Sequence, residues 1–338
     1  MMITMLDVAK KAGVSKATVS RVLAGNSYVS KTTRDRVFKA VEETGYRPNL
    51  LARNLATSKS QSIGLMVSNT LYNGPYFTEL LFQTATSTEN YGRQLILADG
   101  KHSAEEERQA IEFLLDLRCD GIIVYPCFLN ADELTEIISA STKPIIVMNR
   151  RLEHSPQHCV YADHQQYSLN AVSHLIKSGH RDIAFICGSP GSPSANSRLQ
   201  GYRKALELHG IPFREQWVVE GAWTPRSGLA AAATLLERGI HFTALVASND
   251  DMAMGAANSL YAAGKRIPQD VSLIGFDDIP MATYFIPSVS SVKVPVAEMI
   301  KTTLRQLVDM MEGRPYEALK PFPGELIVRE STGPGPYQ

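Results

Sequence analysis

Residues 15–23, Ser-Lys-Ala-Thr-Val-Ser-Arg-Val-Leu, place hydrogen-bond donors and positive charge at helical spacing. Apolar side chains fall on one face of the helix, at Val19, Val22 and Leu23. The opposite face is polar and basic and carries Lys16, Ala17, Ser20 and Arg21. Lysine and arginine donate to phosphate oxygens, and the arginine fork also fits the edge of a guanine base. The pattern therefore predicts a helix that contacts DNA.

The residues before this helix are typical of a helix-turn-helix unit. Gly13 supplies backbone freedom between two short helices, and Ser15 can cap the second one. The first helix begins at a capping-box pattern, Thr4-Met5-Leu6-Asp7. A third helix, capped by Ser30 and ended by Gly45, completes a small all-α domain. Its predicted core includes Leu6, Ala9, Val37, Phe38 and Val41.

Charge is unevenly divided along the chain. The 338 residues include 34 Lys or Arg and 34 Asp or Glu, yet residues 1–60 hold 11 basic residues against 4 acidic ones. The remaining residues hold 23 basic residues against 30 acidic ones. A basic amino-terminal domain beside an acidic body fits a domain that binds a polyanion.

The four cysteines show neither paired spacing nor histidine partners at zinc spacing; they are Cys119, Cys127, Cys159 and Cys187. Reduced, buried thiols are predicted, as is typical of a cytosolic protein. The first residues lack a signal-peptide pattern, and no apolar segment reaches the roughly 20 residues that cross a bilayer. We expect a cytoplasmic protein with no membrane contact, metal or cofactor.

Residues 46–56 predict a short helix after the basic domain. Pro48 fits its first turn, and Leu51 and Leu55 share one face. About eight helical residues are fewer than the roughly 12–15 that persist unaided in water, so this helix needs DNA or a second copy of itself. We divide the chain into a helix-turn-helix domain (1–47), a hinge helix with its linker (48–62) and a larger domain (63–330).

From Ile63 onward, short β-rich runs alternate with helical stretches. The predicted strands are 63–67, 94–97, 122–124, 145–148, 183–187, 244–246 and 271–274. The predicted helices between them are 77–91, 104–117, 131–140, 164–177, 197–209, 227–238 and 250–263. Such alternation indicates parallel sheets with helices on both faces, and the strand number indicates two doubly wound subdomains. A late helix (296–311) and a strand near 325–328 let the chain pass back between them, which gives subdomains of about 63–160 with 291–322 and about 161–290 with 323–330.

Ligands of open α/β sheets bind beyond the carboxyl ends of the strands. Polar and aromatic residues gather at those positions: Asn69, Tyr76, Phe77, Asp99, Tyr125, Asn149, Arg150, Asp163, Ser192, Ser194, Arg198, Trp223, Asn249, Asp250, Phe276 and Asp277. Carboxylates accept hydroxyl protons, arginine donates, and an aromatic ring covers the apolar face of a sugar. The set predicts a pocket for a neutral, hydroxyl-rich ligand.

Some of these residues have a second interpretation. The pairs Asp250-Asp251 and Asp277-Asp278 could serve acid–base catalysis or a metal, but adjacent side chains diverge at a strand end, and one of each pair is predicted to cap a helix. The loop 188–194 looks like a phosphate cradle, yet its two prolines remove N–H donors. Trp223 could belong to the core, although its place in a loop after a strand favours the pocket.

Taken together, these residues resemble the lactose-repressor/galactose-repressor family of bacterial transcription regulators over essentially the whole chain. The resemblance is carried by LDVAKKAGVSKATVSRVL in the basic domain and by SGHRDIAFICG, RLQGYRKAL, SNDDMAMGA and SVKVP in the body. It implies a small helix-turn-helix domain plus an α/β, periplasmic-binding-protein-like core of two doubly wound parallel-sheet subdomains. Within the family, the chain most resembles the regulators of β-glucoside operons.

The resemblance also assigns roles position by position. Positions that contact DNA in the family match Thr4, Ser15, Lys16, Ala17, Thr18, Ser20 and Arg21. Leu55 matches the hinge leucine that wedges into the minor groove, with Asn49 and Ala52 beside it. Effector-binding positions match Tyr76, Phe77, Asn149, Ser192, Ser194, Arg198, Trp223, Asn249 and Asp277. Asn149 stands where the lactose repressor has an aspartate, and Val294 stands where it has a polar residue. The identity of the ligand therefore does not follow from that relative.

We therefore predict a sequence-specific DNA-binding repressor of a sugar-utilisation operon. A small sugar, a β-glucoside or its phosphate, is expected to release it from a pseudo-palindromic operator. The family's tetramer-forming leucine-rich helix has no counterpart, so a homodimer is expected. A sugar-binding receptor of a transport system would share the two-lobed core but would need a signal peptide. An enzyme would need a nucleophile–base pair or a metal cluster, and the sequence presents neither.

Overall fold

The computed structural model describes residues 3–23, 28–46, 60–72 and 74–337. The chain separates into two compact units, residues 1–60 and residues 61–338. The predicted hinge contacts Asn49, Ala52 and Leu55 lie outside the described residues.

Three helices form the described part of the first unit: α1 (Met5–Ala12), α2 (Lys16–Leu23) and α3 (Lys31–Thr44). Gly13 has φ of 65°, a left-handed conformation that allows the tight turn between α1 and α2. The Ser15 hydroxyl accepts from the Thr18 amide at 3.1 Å and caps α2. The predicted helix-turn-helix arrangement is confirmed.

Two residues predicted for the core of this unit are on its surface instead. Leu6 is 51% exposed and Phe38 is 49% exposed. The buried residues are Val8, Ala9, Ala12, Val19, Val22, Val37 and Ala40. The inward stripe of α1 runs through Met5, Val8, Ala9 and Ala12 at i, i+3, i+4 and i+7 spacing. Leu6 lies one position outside that stripe, as Phe38 lies beside Val37 on α3.

The second unit begins with a lobe built on a five-stranded parallel sheet. Its elements are β1 (Ser62–Val67), α4 (Pro75–Asn90), β2 (Gln94–Asp99), α5 (Ala104–Asp116), β3 (Gly121–Tyr125), α6 (Ala131–Ala140), β4 (Ile145–Met148) and β5 (Cys159–Val160). The strand order is β2-β1-β3-β4-β5. Every residue of β1 is buried, because helices cover both faces of the sheet.

A second lobe follows, built on six strands in the order β11-β10-β9-β8-β6-β7. Its elements are α7 (His164–Lys177), β6 (Ile183–Cys187), α8 (Pro193–Leu208), β7 (Val218–Glu220), α9 (Pro225–Glu237), β8 (Ala244–Ala247), α10 (Asp250–Ala262), β9 (Ser272–Phe276), α11 (Pro280–Tyr284), β10 (Ser290–Lys293) and, after a helix α12 (Val296–Met311), β11 (Glu325–Ile327). Only β11 runs antiparallel to its neighbour. Helix α12 packs on α4 and β3 of the first lobe, so the chain crosses back to that lobe before it forms β11.

The pattern of the sequence did not reveal three of these strands. They are β5, β7 and β10, of two, three and four residues, and none of them contains more than two consecutive apolar residues. Because β10 pairs with β9 of the second sheet, the chain leaves the second lobe after Lys293 rather than at 291.

Side chains suited to metal binding are dispersed in this fold. Among the described residues, no three His, Cys, Asp or Glu side chains are grouped as metal ligands would be. All four cysteines are free thiols; Cys119, Cys159 and Cys187 are buried as predicted, and Cys127 is half-buried. None of the described helices combines the length and apolar character needed to cross a membrane.

Candidate functional site

Helix α2 presents a polar, basic surface. Lys16, Ala17, Ser20 and Arg21 are exposed, whereas Val19 and Val22 are buried beneath them. Neither Lys16 nor Arg21 forms an ion pair with any described residue. Their charges are therefore available to phosphates or base edges outside the protein.

The hydroxyl groups near this surface serve as local caps. Thr4 donates from its amide and its hydroxyl to the Asp7 carboxylate, at 2.8 and 2.7 Å. These two bonds lower the pKa of the Asp7 carboxyl. Ser15 and Thr18 share a hydroxyl–hydroxyl contact of 2.9 Å. Thr4, Ser15 and Thr18 thus set the ends of α1 and α2, which is a structural role in addition to the predicted DNA contacts.

A second group of polar side chains meets between the two lobes of the larger unit. It comprises Tyr76 in the first turn of α4, Tyr125 at the end of β3, Asn149 after β4, His164 at the start of α7, Arg198 on α8 and Asp277 after β9. The first three belong to the first lobe and the last three to the second. We call this group the cleft series.

Hydrogen bonds connect the first-lobe half of the series and continue to His164 of the second lobe. Tyr125 donates from its hydroxyl to that of Tyr76 at 3.1 Å. The Asn149 amide nitrogen donates to the Tyr125 hydroxyl at 2.7 Å. The Asn149 amide oxygen lies 2.7 Å from His164 Nε2. Burial raises the pKa of Tyr76 to about 12, so this hydroxyl remains protonated at neutral pH.

Two second-lobe members of the cleft series, Arg198 and Asp277, form a buried ion pair. Arg198 Nη2 donates to Asp277 Oδ1 at 3.1 Å, with the two side chains only 5% and 10% exposed. Arg198 Nη1 donates to the carbonyl oxygen of Ser248. The guanidinium also lies over the rings of Phe276 and Trp223, 4.6 and 5.7 Å from their centroids. Burial raises the pKa of the Asp277 carboxyl, and the charge of Arg198 opposes that rise.

Several residues at strand ends around the cleft hold a backbone conformation that side chains rarely adopt. Asn149, Trp223, Asp277 and Asp278 have φ of 58°, 63°, 94° and 52°. Such conformations cost about 1–3 kcal/mol each and are concentrated at binding sites. Strain at three separate strand ends indicates that the cleft geometry is held by the surrounding fold.

The aspartate pairs do not act as helix caps, so that prediction was wrong. The cap residues of α10 and α11 are Asn249 and Ile279. Asp250 is buried and accepts from the Ser291 hydroxyl at 2.6 Å and from the Ile279 amide at 2.9 Å. Asp278 pairs with Arg329 at 2.7 Å. Asp250 and Asp278 connect loops of the second lobe, and Asp277 joins the cleft series.

Trp223 is half-buried: it packs against two buried hydrophobic clusters and also lies beside the Arg198 guanidinium. Its ring covers Gly188 so closely that a β-carbon at that glycine would lie 2.0 Å from it. Asn249 donates to the Trp223 carbonyl oxygen at 2.9 Å and accepts from the Met252 amide at 2.9 Å. Asn249 therefore fixes both the Trp223 loop and the start of α10.

The structure does not bring three other predicted effector residues into the series. Ser192 caps α8, and its hydroxyl lies 3.1 Å from that of Ser194. Phe77 packs on Tyr72, with ring centroids 4.5 Å apart. Their predicted contacts with an effector stay predictions.

The predicted effector set omitted His164, although the structure places it at the centre of the series. Its signal in the sequence was weak, since it follows β5, a strand of two residues that the pattern did not show. Tyr125 was among the strand-end residues but not among the matched effector positions.

Comparison with known proteins agrees with both parts of this architecture. Residues 4–49 match the lacI family of bacterial regulatory proteins, and residues 172–332 match a periplasmic binding protein-like domain. The chain is 58% identical over 330 residues to the HTH-type transcriptional regulator AscG of Escherichia coli strain K12, covering 98% of each chain. This relative is a regulator of transcription.

Two solved structures are also similar over the full length. A lac repressor dimer bound to operator and the anti-inducer ONPF superposes with a TM-score of 0.89 at 29% identity, covering 98% of this chain and 100% of that one. A complex of the transcriptional regulator CelR with cellobiose gives a TM-score of 0.72 at 32% identity, covering 97% and 99%. From its two matched domains and its identity to AscG, the chain belongs to the lacI family of bacterial regulatory proteins, which are DNA-binding regulators of transcription.

Proposed function

We propose that this regulator represses a sugar-utilisation operon in the cytoplasm and is released from DNA by a β-glucoside or its phosphate. The observation that carries the sugar assignment is the buried Arg198–Asp277 pair, which lies beside the Trp223 ring in the cleft. A guanidinium donates to ring and hydroxyl oxygens, a carboxylate accepts from hydroxyls, and an indole covers the apolar face of a sugar. The cellobiose bound by the similar CelR supports a β-glucoside as the ligand.

DNA recognition is assigned to a pair of α2 helices. Two copies of the first unit would lie in successive major grooves of a pseudo-palindrome, each with Lys16 and Arg21 toward the bases. Leu55 from each copy is proposed to wedge into the minor groove between them, with Asn49 and Ala52 beside it. Bending the site would cost about 1–6 kcal/mol, offset by the added contacts.

Sugar binding would act through the two lobes. A ligand held by both halves of the cleft series favours one relative position of the lobes, since it contacts Tyr76 from one and Asp277 from the other. That change would separate the paired hinge helices, which are too short to persist alone. Couplings of this kind are typically about 1–3 kcal/mol and require different sugar affinities in the two states.

A homodimer is proposed from exposed apolar side chains on both lobes. The second lobe exposes Tyr284 at 77% and Ile286 at 87%, and the edge strand β2 exposes Leu97 at 39%. Exposed apolar groups of this size mark contact surfaces, and the lac repressor of similar structure is a dimer. The occupant proposed for these surfaces is a second copy of the chain.

Ile286→Glu is expected to convert the dimer to a monomer at micromolar concentration, because a buried carboxylate would face apolar groups of the partner. Sedimentation equilibrium measures the mass directly. Leu208→Glu is the matched control: Leu208 is 60% exposed at the end of α8, an element that carries none of these three side chains, and the variant should stay dimeric. If Ile286→Glu also stays dimeric, the second-lobe surface is not the interface.

The whole proposal is tested by fluorescence anisotropy on the upstream region of the regulated genes. Cellobiose, salicin and their 6-phosphates are titrated against the bound complex, and at least one should lower operator affinity tenfold or more. Non-cognate DNA of equal length gives the baseline. A protein that binds a sugar of this panel but no DNA would be a receptor, and one that binds DNA regardless of all four would not be controlled by β-glucosides.

A further inference from the structure

The arginine at one end of the cleft series determines the protonation pattern of its neighbour. Arg198 Nη2 lies 3.4 Å from His164 Nδ1. A guanidinium carries donors only, so Nδ1 must be the acceptor. A neutral imidazole with an acceptor at Nδ1 carries its hydrogen at Nε2, and Nε2 faces the Asn149 amide oxygen at 2.7 Å. The ring is therefore an Nε2–H donor to Asn149.

The environment of His164 favours the neutral ring. Burial, and then the positive charge of Arg198, hold the pKa of His164 well below its usual value. Tyr167 of the same helix presents its ring edge-on, with centroids 5.8 Å apart, and carries no charge at neutral pH. The carboxylate of Asp277 lies on the other side of Arg198 and is engaged by the guanidinium.

The protonation of His164 then sets which atom donates and which accepts in each remaining hydrogen bond of the cleft series. Because its oxygen accepts from His164, the Asn149 amide directs its nitrogen to the Tyr125 hydroxyl. Tyr125 in turn uses its hydrogen on Tyr76. The hydrogen of Tyr76 has no acceptor among the residues that the structure describes, and the charges of Asp277 and Arg198 across the cleft act on that hydroxyl. A free donor consequently stands at the end of the series, on the first-lobe side of the cleft.

We propose that His164 is a positioning residue of the effector cleft, which orients the Asn149 amide so that Tyr76 presents a hydrogen-bond donor to an acceptor oxygen of the ligand. The inference rests on the proposed function, since it refines which ligand groups the cleft accepts. It also gives a physical reason for an asparagine, rather than an aspartate, at position 149. An aspartate there would accept from both sides, and Tyr125 would donate to it. The hydrogen bond between Tyr76 and Tyr125 could then form only with Tyr76 as the donor, which would use its free hydrogen.

The tautomer is tested in the full-length protein without sugar. Histidine ring-labelled with ¹⁵N is observed by NMR from pH 5.5 to 8, and the signals of His164 are those absent from His164→Gln. We expect an Nε2–H neutral ring that does not titrate over this range. A cationic ring, or hydrogen at Nδ1, overturns the proposal whether or not a sugar has been found.

The positioning role is tested by two substitutions of similar size. His164→Gln can place an amide N–H near the position of Nε2 and should bind the releasing sugar within about threefold of the original chain. His164→Asn reaches only the Nδ1 position, leaves Asn149 without its donor and should lose about tenfold. His241→Asn, at an exposed histidine before β8, is the control and should change nothing.

A double-mutant cycle separates positioning from simple packing. If His164 acts through the Tyr76 hydroxyl, His164→Asn should add little to the loss caused by Tyr76→Phe. Full additivity, or equal losses in His164→Gln and His164→Asn, overturns the proposal. Operator binding without sugar verifies that each variant is folded. If no sugar of the panel binds the original chain, the proposed β-glucoside function fails, while the NMR result still decides the state of His164.

Discussion

Arg198→Ala is expected to lower the free energy of unfolding of the two-lobed unit by about 3–5 kcal/mol and to abolish release of the operator by sugar. The substitution leaves the Asp277 carboxylate, whose side chain is 10% exposed, without its counter-charge. It also removes the cation that lies over Phe276 and the donor that faces His164. Loss of stability and loss of sugar response should therefore occur together.

The stability lost in Arg198→Ala should depend on pH. Burial already raises the pKa of Asp277, and removing Arg198 removes the charge that opposes this rise. The folded variant then binds a proton more readily than the unfolded chain does. Its stability deficit should be smallest at acid pH, below the ordinary carboxyl pKa, and should grow as pH rises through the raised pKa of the folded state.

Urea unfolding followed by far-ultraviolet circular dichroism measures this effect. Arg203→Ala is the control, because Arg203 is an exposed arginine of the same helix that stacks on Phe213 at 4.3 Å. The double substitution Arg198→Met with Asp277→Asn should recover part of the stability, since it removes both charges. Equal losses in the Arg198 and Arg203 variants would show that the ion pair adds no stability.

Arg21→Ala is expected to weaken operator binding by about 1–3 kcal/mol, roughly 5- to 150-fold. Arg21 is exposed on α2 and makes no ion pair with a described residue, so its guanidinium is free to donate to DNA. A bidentate contact with a guanine would confine the loss of specificity to one base pair of each half-site.

Anisotropy titrations with operators changed at single positions measure both affinity and preference. Arg36→Ala removes the same charge from an exposed position on α3 and reports the loss due to net charge alone. A loss that is uniform over all sequences, with a salt dependence reduced by about one unit, would make Arg21 a phosphate contact instead.

The sequence alone was sufficient for the helix-turn-helix unit and for the class of the larger fold. The turn at Gly13, the cap at Ser15 and the buried face at Val19 and Val22 depend on residues at most four positions apart. Such signals are local, so they can be identified without knowing what the segment packs against. The alternation of strands and helices from Ile63 onward is local in the same sense and predicted the parallel sheets correctly.

Only the tertiary structure decided which side chains meet in the cleft. Arg198 contacts His164 and Asp277, which lie 34 and 79 positions away in the chain, and no spacing rule connects them. The same holds for Asp250, which bonds across 41 residues to Ser291 instead of capping its helix. The sequence determined that an arginine, an asparagine and a histidine are present. The fold determined that a donor-only guanidinium faces one nitrogen of that histidine, and this contact sets the direction of every hydrogen bond from Arg198 to Tyr76.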